Sequence, residues 1–493
     1  MLDQIVKNVR VVRPGREVET VDLGIEGGRF TRIEPGIPAE EAATVVDGRG
    51  LLAFPGVVDV HQHWGIYNPL EEDALTESRA CAQGGVTTGI TYLRTGAYYL
   101  NRSGPYAEVL PYAFKAAEGR AYVDYGFHVA PILREHIDEI PSLIADFGIP
   151  SFKIFMFYGK HGLHGRSSSQ EQFLMLPEGE SYDYAHFEFV MRGIQQAREE
   201  ARFADIADDI SLSLHCETAE IMSAYTRMVE QDGTLSGLEA YHASRPPHSE
   251  GLAVTIASYL AHETGLPNIN LLHLSSRKAV EAALIMARAF PHVNFRREVT
   301  IGHLLADIHT AAAGVGGKVN PPLRPREDVE ALWQHLLDGE LDWVTSDHAC
   351  CKDEVKFGTP RDNVFLAKSG FGGTEYLLPG LITEGTRRGL PLGRVAELVS
   401  RNPAERFGLH TKGAIEIGYD ADFALVDPNA SWVVHAADSE STQEYTPFEG
   451  FEMTAKVTDT FVRGTRVLEA GNVTGRPVGQ FVRRPTRRGV ASA

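Results

Sequence analysis

The stretch LLAFPGVVDVHQH, residues 51–63, is a nearly unbroken apolar run that ends in two histidines. Its length and its lack of polar alternation are typical of a strand that is buried on both faces, as in a parallel sheet. Seven further runs of this kind follow along the chain: GGVTTGITYL (84–93), AYVDYGFHVA (121–130), SFKIFMFY (151–158), ISLSLHCE (210–217), INLLHLSS (269–276), VNFRREVT (293–300) and LDWVTSD (341–347).

Amphipathic helical patterns separate these runs, for example EEDALTESRACAQ (71–83) and FEFVMRGIQQAREEARF (187–203). Eight buried strands that alternate with helices predict an α/β fold with a closed (β/α)8 TIM barrel. An open doubly wound sheet built from the same elements is the alternative.

The two ends of the chain have a different pattern from the middle. From Gln4 to Ile33 and again from Gly413 to Val473, apolar and polar residues alternate between glycine and proline breaks, which is typical of short antiparallel strands. We therefore predict a small β-sandwich domain built from both ends (residues 1–54 and 402–493) around a barrel of residues 55–401. The basic tail FVRRPTRRGVASA (481–493) is expected to be a frayed terminus.

The charge balance excludes one class of function. The chain has 66 acidic and 47 basic residues and a net charge of −19, which argues against sequence-independent nucleic-acid binding because that relies on cations neutralising phosphates. Its four cysteines form no disulfide framework, and no stretch has the length and apolarity of a signal peptide or membrane span. The expectation is a cytoplasmic protein that binds neither nucleic acid nor membrane.

Potential metal ligands occur at the carboxyl ends of the predicted strands. His61 and His63 end the first strand, Lys153 lies within the fourth, and the fifth, sixth and eighth end in His215, His273 and Asp347. Because a strand has a period of two residues, a His-x-His pair directs both imidazoles to one face. Barrel enzymes place their chemistry at this rim, so the six residues predict a divalent metal site of the kind that imidazole and carboxylate prefer.

The sequence resembles the cyclic amidohydrolases, the group of hydantoinases, dihydropyrimidinases, allantoinases and dihydroorotases. The resemblance covers nearly the whole chain. The matching motifs are PGVVDVHQH (55–63), GGVTT (84–88), SFKIFMFY (151–158), HCE (215–217), HLSS (273–276), VNPPLR (319–324), TSDHA (345–349), NPAERFGL (402–409), IGYDADFALVD (417–427) and TPFEG (446–450).

The resemblance implies a ring-opening hydrolase with two divalent metal ions, most typically zinc, and an attacking hydroxide between them. It implies that His61, His63 and Asp347 bind one metal, that His215 and His273 bind the other, and that a carboxylated Lys153 bridges both. Asp347 would be the general base and then the general acid, and Tyr158 would hydrogen-bond the developing oxyanion. Further substrate contacts are expected from Asn320, Ser369 and, beside the His-x-His pair, Trp64. The family also suggests a homo-oligomer, either a dimer or a tetramer.

The sequence narrows the substrate only partly. Dihydroorotases have an arginine just after the His-x-His pair, whereas this chain reads HQHWGIY and has no arginine until Arg79, which argues against a substrate carboxylate. Apolar residues near the predicted site (Ile66, Phe155 and Phe157) favour a hydantoin- or dihydropyrimidine-like ring with an apolar substituent. Allantoin, another cyclic imide or a lactam are the alternatives, and a non-catalytic assembly protein is a remote one.

Two segments depart from the family pattern. Cys350-Cys351 follows TSDHA where relatives usually have proline, so the loop after the eighth strand is atypical. Residues 160–183 form a polar, weakly periodic stretch after the strand that bears Lys153. We predict that this stretch lies over the metal rim and narrows access to bulky substrates; a solvated spacer is the alternative.

Overall fold

The computed structural model describes residues 1–159, 161–165 and 169–487. Within these residues the chain forms nineteen β-strands: β1 (Leu2–Val11), β2 (Glu19–Glu26), β3 (Arg29–Glu34), β4 (Ala42–Asp47), β5 (Leu52–Pro55), β6 (Val57–Gln62), β7 (Val86–Arg94), β8 (Asp124–Ala130), β9 (Ser151–Phe155), β10 (Ser211–His215), β11 (Asn268–Leu271), β12 (Asn294–Thr300), β13 (Trp343–Thr345), β14 (Phe423–Asp427), β15 (Trp432–Val433), β16 (Glu452–Met453), β17 (Lys456–Val462), β18 (Thr465–Glu469) and β19 (Asn472–Val473).

The described α-helices lie mainly between the strands of the middle region. They are α1 (Leu70–Gln83), α2 (Tyr106–Ala117), α3 (Arg134–Asp138), α4 (Ile140–Ala145), α5 (Gln170–Leu174), α6 (Tyr184–Glu199), α7 (Ala219–Asp232), α8 (Gly237–Ser244), α9 (Pro247–Thr264), α10 (Arg277–Ala289), α11 (Ile301–Leu305), α12 (Arg326–Leu337), α13 (Asp353–Lys356), α14 (Leu377–Arg387), α15 (Leu392–Ala396) and α16 (Asn402–Arg406).

Strands β6 to β13 form one parallel sheet in sequence order. The sheet closes at its carboxyl rim, where Gln62 bridges His348 and the His63 backbone N–H donates to the His348 carbonyl at 2.8 Å. The strands β6 to β11 are buried throughout, as their apolar sequences require. The predicted closed barrel is therefore confirmed over an open doubly wound sheet.

The second sheet joins the two ends of the chain. Its order is β19-β18-β17-β14-β5-β1-β2-β3, with β4 paired to β1, so β14 from the C-terminal end pairs directly with β5 from the N-terminal end. A separate apolar core fills this domain, in which the rings of Phe423 and Phe461 stack at 4.3 Å. The β-sandwich domain from both chain ends is confirmed, while its exact boundaries stay a prediction.

A buried lysine links this domain to the barrel. Lys412 Nζ lies 2.7 Å from an oxygen of Asp124, on barrel strand β8, and 2.7 Å from an oxygen of Asp422, beside β14. Asp420 lies 3.3 Å away, and the three carboxylates raise the pKa of Lys412 against the opposing effect of burial. The ammonium is thus a fixed positive charge between the two domains.

The described part of the tail is ordered against the barrel, which corrects the expectation of a frayed terminus for residues 481–487. Phe481 packs its ring on Phe114 at 4.6 Å, and its neighbours Gln480 and Val482 form backbone hydrogen bonds with Tyr125. The Arg484 side chain is buried and donates to the Phe127 carbonyl at 2.6 Å. Residues 488–493 of the expected frayed segment lie outside the described residues.

Among the helices of the described residues, none has both the length and the apolar composition of a membrane span.

Candidate active site

The six predicted ligands meet at the carboxyl rim of the barrel. His61 lies in β6 and His63 just after it, Lys153 lies in β9, and His215 is the last residue of β10. His273 and Asp347 each follow the end of a strand by two residues, after β11 and β13. All six side chains are buried, which is unusual for so many ionisable groups without a compensating ion.

His61, His63 and Asp347 form the tightest group. One oxygen of Asp347, Oδ1, lies 3.1 Å from Nε2 of His61 and 3.1 Å from Nε2 of His63. Lys153 Nζ lies 3.1 Å from the same Nε2 of His61. Three donor atoms, from His61, His63 and Asp347, thus lie close enough together to hold one divalent cation, and the Lys153 amine adjoins them.

His215 and His273 form a second pair of rings at the rim. Their ring centroids are 4.2 Å apart, and the His273 ring lies 5.3 Å from that of His61. Neither ring nitrogen of His273 has a hydrogen-bond partner within the described residues, although the ring is buried. Since a buried imidazole normally has a partner, this orphaned ring fits a metal ligand.

Hydrogen bonds to the far side of each ring select the nitrogen that faces the site. The Nδ1 atoms of His61 and His63 lie 2.7 Å from Glu298 Oε1 and 2.6 Å from the Tyr99 hydroxyl, which leaves Nε2 for a metal. In His215 the pairing is reversed, because Nε2 lies 2.8 Å from Glu217 and leaves Nδ1. Such outer contacts fix the tautomer and orientation of metal-binding histidines.

These outer residues were not predicted from the sequence. Glu298 lies in β12, a barrel strand for which no site residue was proposed, and it also accepts hydrogen bonds from Trp343 Nε1 at 2.9 Å and from the His273 N–H at 3.0 Å. The sequence feature that could have indicated Glu298 is a carboxylate within a predicted buried strand. Arg245 binds Glu217 at 2.7 Å, and nothing in the sequence pattern indicates that contact.

Lys153 is enclosed by aromatic rings and by the predicted ligand His61. Its Nζ lies 3.8 Å from the ring centre of Tyr92 and 4.3 Å from that of Phe155. Burial lowers the pKa of Lys153 to about 7, against the opposing effect of the Asp347 and Glu298 carboxylates. A substantial fraction of the amine is therefore neutral and nucleophilic near neutral pH.

Two of the rim residues have strained backbones. His273 has a φ of 33° and Asp347 a φ of 52°, in the left-handed region that residues other than glycine rarely adopt. Such conformations cost about 1–3 kcal/mol each and persist where the surroundings determine them, most often at functional sites. The surrounding structure therefore fixes the backbone at His273 and Asp347, and with it the direction of both side chains.

A small cavity of about 40 Å³ opens beside these ligands. Tyr158, Asn320 and Ser369, which the sequence assigns to the substrate, all line it. Both ends of the Asn320 amide are engaged: Nδ2 donates to the Leu163 carbonyl at 2.8 Å, and Oδ1 accepts from the Tyr241 hydroxyl. The Asn320 side chain thus braces the cavity wall.

Trp64 takes a different place from the other proposed substrate residues. It is buried in the main apolar core, and its ring packs on Tyr125 at 6.3 Å rather than on the cavity wall. Ile66, two residues further on, lines the cavity.

The described part of the 160–183 segment lies at the same cavity. Leu163 lines it, and His164 accepts a hydrogen bond from the Ser369 N–H at 3.2 Å. Phe173, in α5, packs on Tyr158 with ring centroids 5.1 Å apart. The segment is therefore part of the cavity wall, while residues 160 and 166–168 lie outside the described residues.

The atypical Cys350 belongs to a second buried group of possible ligands, with Glu77 and His348. His348 Nδ1 accepts backbone N–H groups of Gly373 at 3.1 Å and Thr374 at 3.3 Å, so Nε2 carries the proton and faces Glu77 at 2.8 Å. A protonated nitrogen offers no lone pair to a metal. The group is thus a hydrogen-bonded cluster that stabilises the loop after Asp347.

Cys351, the second cysteine of the atypical pair, lies with its sulfur 3.9 Å from the Tyr445 hydroxyl.

A parallel barrel that gathers imidazoles, a carboxylate and a lysine at its carboxyl rim defines the class of metal-dependent barrel hydrolases. A model of the amidohydrolase family matches residues 52–467, so the chain belongs to this family. The predicted cyclic amidohydrolase is confirmed.

Named relatives cover nearly the whole chain. An allantoinase of Rubrobacter xylanophilus is 33% identical over 99% of each chain, and an allantoinase of Enterococcus faecalis is 30% identical over 94% of this chain and 95% of the relative. Among solved structures, an L-hydantoinase (dihydropyrimidinase) from Arthrobacter aurescens has a TM-score of 0.82 at 27% identity and covers 98% of this chain and 100% of that one.

Proposed function

We propose that this chain opens the ring of a hydantoin-type cyclic amide, with allantoin as the first substrate to test. The observation that carries the reaction class is the convergence of His61, His63, Lys153, His215, His273 and Asp347 on one buried rim. The choice of allantoin is supported by the allantoinases that match the chain over almost its full length.

We further propose two divalent metal ions, with zinc the first candidate. His61, His63 and Asp347 would hold one, and His215 and the orphaned His273 the other. Lys153 lies within reach of both groups, and as a carbamate it would present two oxygens in place of a repelling ammonium. Such a pair of ions supplies a water of lowered pKa as the nucleophile and polarises the substrate carbonyl.

Asp347 moves the proton in this scheme. Its carboxylate lies at the cavity wall, where it accepts the proton of the nucleophilic water and returns it to the ring nitrogen as the C–N bond breaks. The product is one open-chain molecule, with a new carboxylate at one end and, at the other, the former ring nitrogen bearing the returned proton. The strained φ of Asp347 supports this role, because it fixes the carboxylate before substrate binds.

Tyr158 stabilises the substrate carbonyl in this scheme, and the cavity wall orients the substrate ring. The Tyr158 hydroxyl donates to the carbonyl oxygen as negative charge develops there. The cavity wall at Asn320 and Ser369 orients the amide edge of the ring, supported by the bracing hydrogen bonds of Asn320 and by the Ser369 N–H, which donates to His164.

A hydantoin with an apolar substituent at the ring is the second candidate. Ile66, Leu163, Phe155 and Phe157 all line the cavity and give it apolar surface. We also propose a homo-oligomer, a dimer or tetramer, on the strength of the family resemblance; light scattering would test it.

The experiment is a substrate panel. Protein reconstituted with zinc and bicarbonate is incubated with allantoin, hydantoins with methyl and benzyl substituents, dihydrouracil and succinimide, and ring opening is followed by NMR. We expect the highest kcat/KM with allantoin. A preference for a benzyl hydantoin would transfer the assignment to the second candidate, and no ring opening of any member would overturn the proposal.

A further inference from the structure

A buried arginine lies behind the cavity wall and has no part in the scheme above. Arg94 is the last residue of β7, so it belongs to the same carboxyl rim as the metal ligands. Its side chain is only 1% exposed. Neither its position nor its charge was singled out in the sequence.

The guanidinium of Arg94 is poorly compensated. One terminal nitrogen, Nη1, donates to the Thr95 carbonyl at 2.8 Å, while Nε and Nη2 have no hydrogen-bond partner of good geometry among the described residues. No carboxylate of the described chain lies within 4.0 Å of it. A buried charge without a counter-charge destabilises the folded state, so we expect this arginine to have a functional role.

Aromatic rings surround this charge on the side of the cavity. The guanidinium carbon lies 4.6 Å from the ring centre of Phe173, 5.2 Å from that of Tyr158 and 5.8 Å from that of Tyr99. Tyr158 and Tyr99 line the cavity directly. Tyr158 therefore stands between the arginine and the place where the substrate carbonyl would lie.

The electrostatics of Tyr158 reflect this neighbour. Burial raises the pKa of Tyr158, and the positive charge of Arg94 opposes that rise. A cation behind a phenol polarises its O–H bond and makes it a stronger donor. In a buried site with a low dielectric, such a charge interacts strongly with negative charge that develops nearby.

We propose that Arg94 is a positioning residue that strengthens the hydrogen bond from Tyr158 to the developing oxyanion. The inference rests on the proposed role of Tyr158. Because negative charge appears only in the transition state, Arg94 should contribute to kcat and have little effect on KM.

A double-mutant cycle tests this coupling. Arg94→Met removes the charge and keeps an unbranched apolar chain against Phe173 and Tyr99, and Tyr158→Phe removes only the hydroxyl. We expect Arg94→Met to lower kcat by about 10- to 100-fold with KM within about 3-fold, somewhat less than the loss of a direct oxyanion donor. In the Tyr158→Phe background the same substitution should change kcat by less than about 2-fold.

The outcomes separate the two proposals. If Tyr158→Phe alone retains full kcat, the oxyanion role of Tyr158 fails, and the Arg94 inference falls with it. If Tyr158→Phe is impaired but Arg94→Met lowers kcat equally in both backgrounds, or not at all, only the Arg94 inference is overturned.

Arg94→Lys serves if Arg94→Met does not fold. It retains the charge without the reach of the guanidinium, so we expect a smaller loss of kcat that again disappears in the Tyr158→Phe background. A loss that is equal in both backgrounds contradicts the coupling. The metal content of each variant is measured alongside and should match that of the unmodified protein.

Discussion

Glu298 and His61 are joined inside the barrel by a hydrogen bond of 2.7 Å between Oε1 and Nδ1. The same carboxylate accepts the indole N–H of Trp343 and the backbone N–H of His273, so it holds one proposed metal ligand through its ring and another through its main chain. One buried side chain thereby links the two halves of the candidate metal site.

Glu298→Gln should weaken metal binding. The amide has nearly the same shape but accepts at one position only, so it cannot keep all three hydrogen bonds and hold the His61 tautomer as well. Loss of an outer carboxylate of this kind typically costs about 10- to 100-fold in metal affinity. Competition with a chelator measures it.

Asp22→Asn is the matched control for Glu298→Gln. Asp22 is also a buried carboxylate that accepts backbone N–H groups, from Asn8 and Ile37, but it lies in the β domain. Its substitution should leave the metal affinity unchanged. Equal metal affinity in Glu298→Gln and the unmodified protein would contradict the role of Glu298.

Leu163→Ala should broaden the substrate range. Leu163 lines the cavity, so its truncation enlarges the wall next to the ring substituent. We expect the ratio of kcat/KM for a benzyl to a methyl hydantoin to rise by about 10-fold, the size of effect that a few methylene groups exert in an apolar pocket. Leu174→Ala, a buried leucine of the same segment that does not line the cavity, is the control. An unchanged ratio would favour the spacer interpretation of this segment.

Lys412→Met should destabilise the whole chain. The substitution leaves the buried Asp422 without its cation and leaves Asp124 with Arg463 alone, and breaking a buried ion pair on one side costs about 3–5 kcal/mol. The midpoint of thermal unfolding should fall, while Lys456→Met, the loss of an exposed lysine of the same domain, should leave it nearly unchanged. An equal midpoint in the two variants would show that the domain contact does not depend on this charge.

The sequence sufficed for the barrel and for the residues at its rim, because both leave local signals. Apolar runs mark the strands, and His61, His63 and Asp347 stand at or next to strand ends where any barrel gathers its chemistry. The same signals do not identify Glu298 as a site residue. Its strand contains Arg296, Arg297 and Glu298 in succession, and the sequence does not decide which of them points inward.

Other features depend on contacts between distant parts of the chain. Tyr99 reaches His63 from the loop after β7, and its hydroxyl position follows from the fold of that loop rather than from a pattern. The basic composition of the tail suggested solvent exposure, yet Arg484 caps carbonyls of the barrel and is buried. Arginine composition alone does not distinguish a solvated side chain from one that satisfies buried acceptors.

Metal loading should depend on bicarbonate and on pH. Burial lowers the pKa of Lys153 to about 7, so the neutral amine that reacts with carbon dioxide is the minor form below this pH and the major form above it. Metal-free protein given zinc should therefore gain activity faster with added bicarbonate and, when the concentration of dissolved carbon dioxide is held equal, faster at pH 8 than at pH 6. Reconstitution that is insensitive to bicarbonate in degassed buffer would contradict a carbamate on Lys153.

The size of the side chain at position 153 should decide whether a small acid can replace the carbamate. Lys153→Ala should lose at least one metal ion and nearly all activity, because the proposed carbamate is the ligand that both groups of histidines share. Acetate or propionate should restore part of both, since a free carboxylate fits the space that the alanine leaves. Lys153→Met removes the same amine but fills that space, so the same acids should not rescue it. Metal analysis and kcat with and without the acids measure both variants. If Lys153→Ala kept two metals and near-full turnover without an acid, the binuclear site would have to be replaced by a single-metal site of His61, His63 and Asp347.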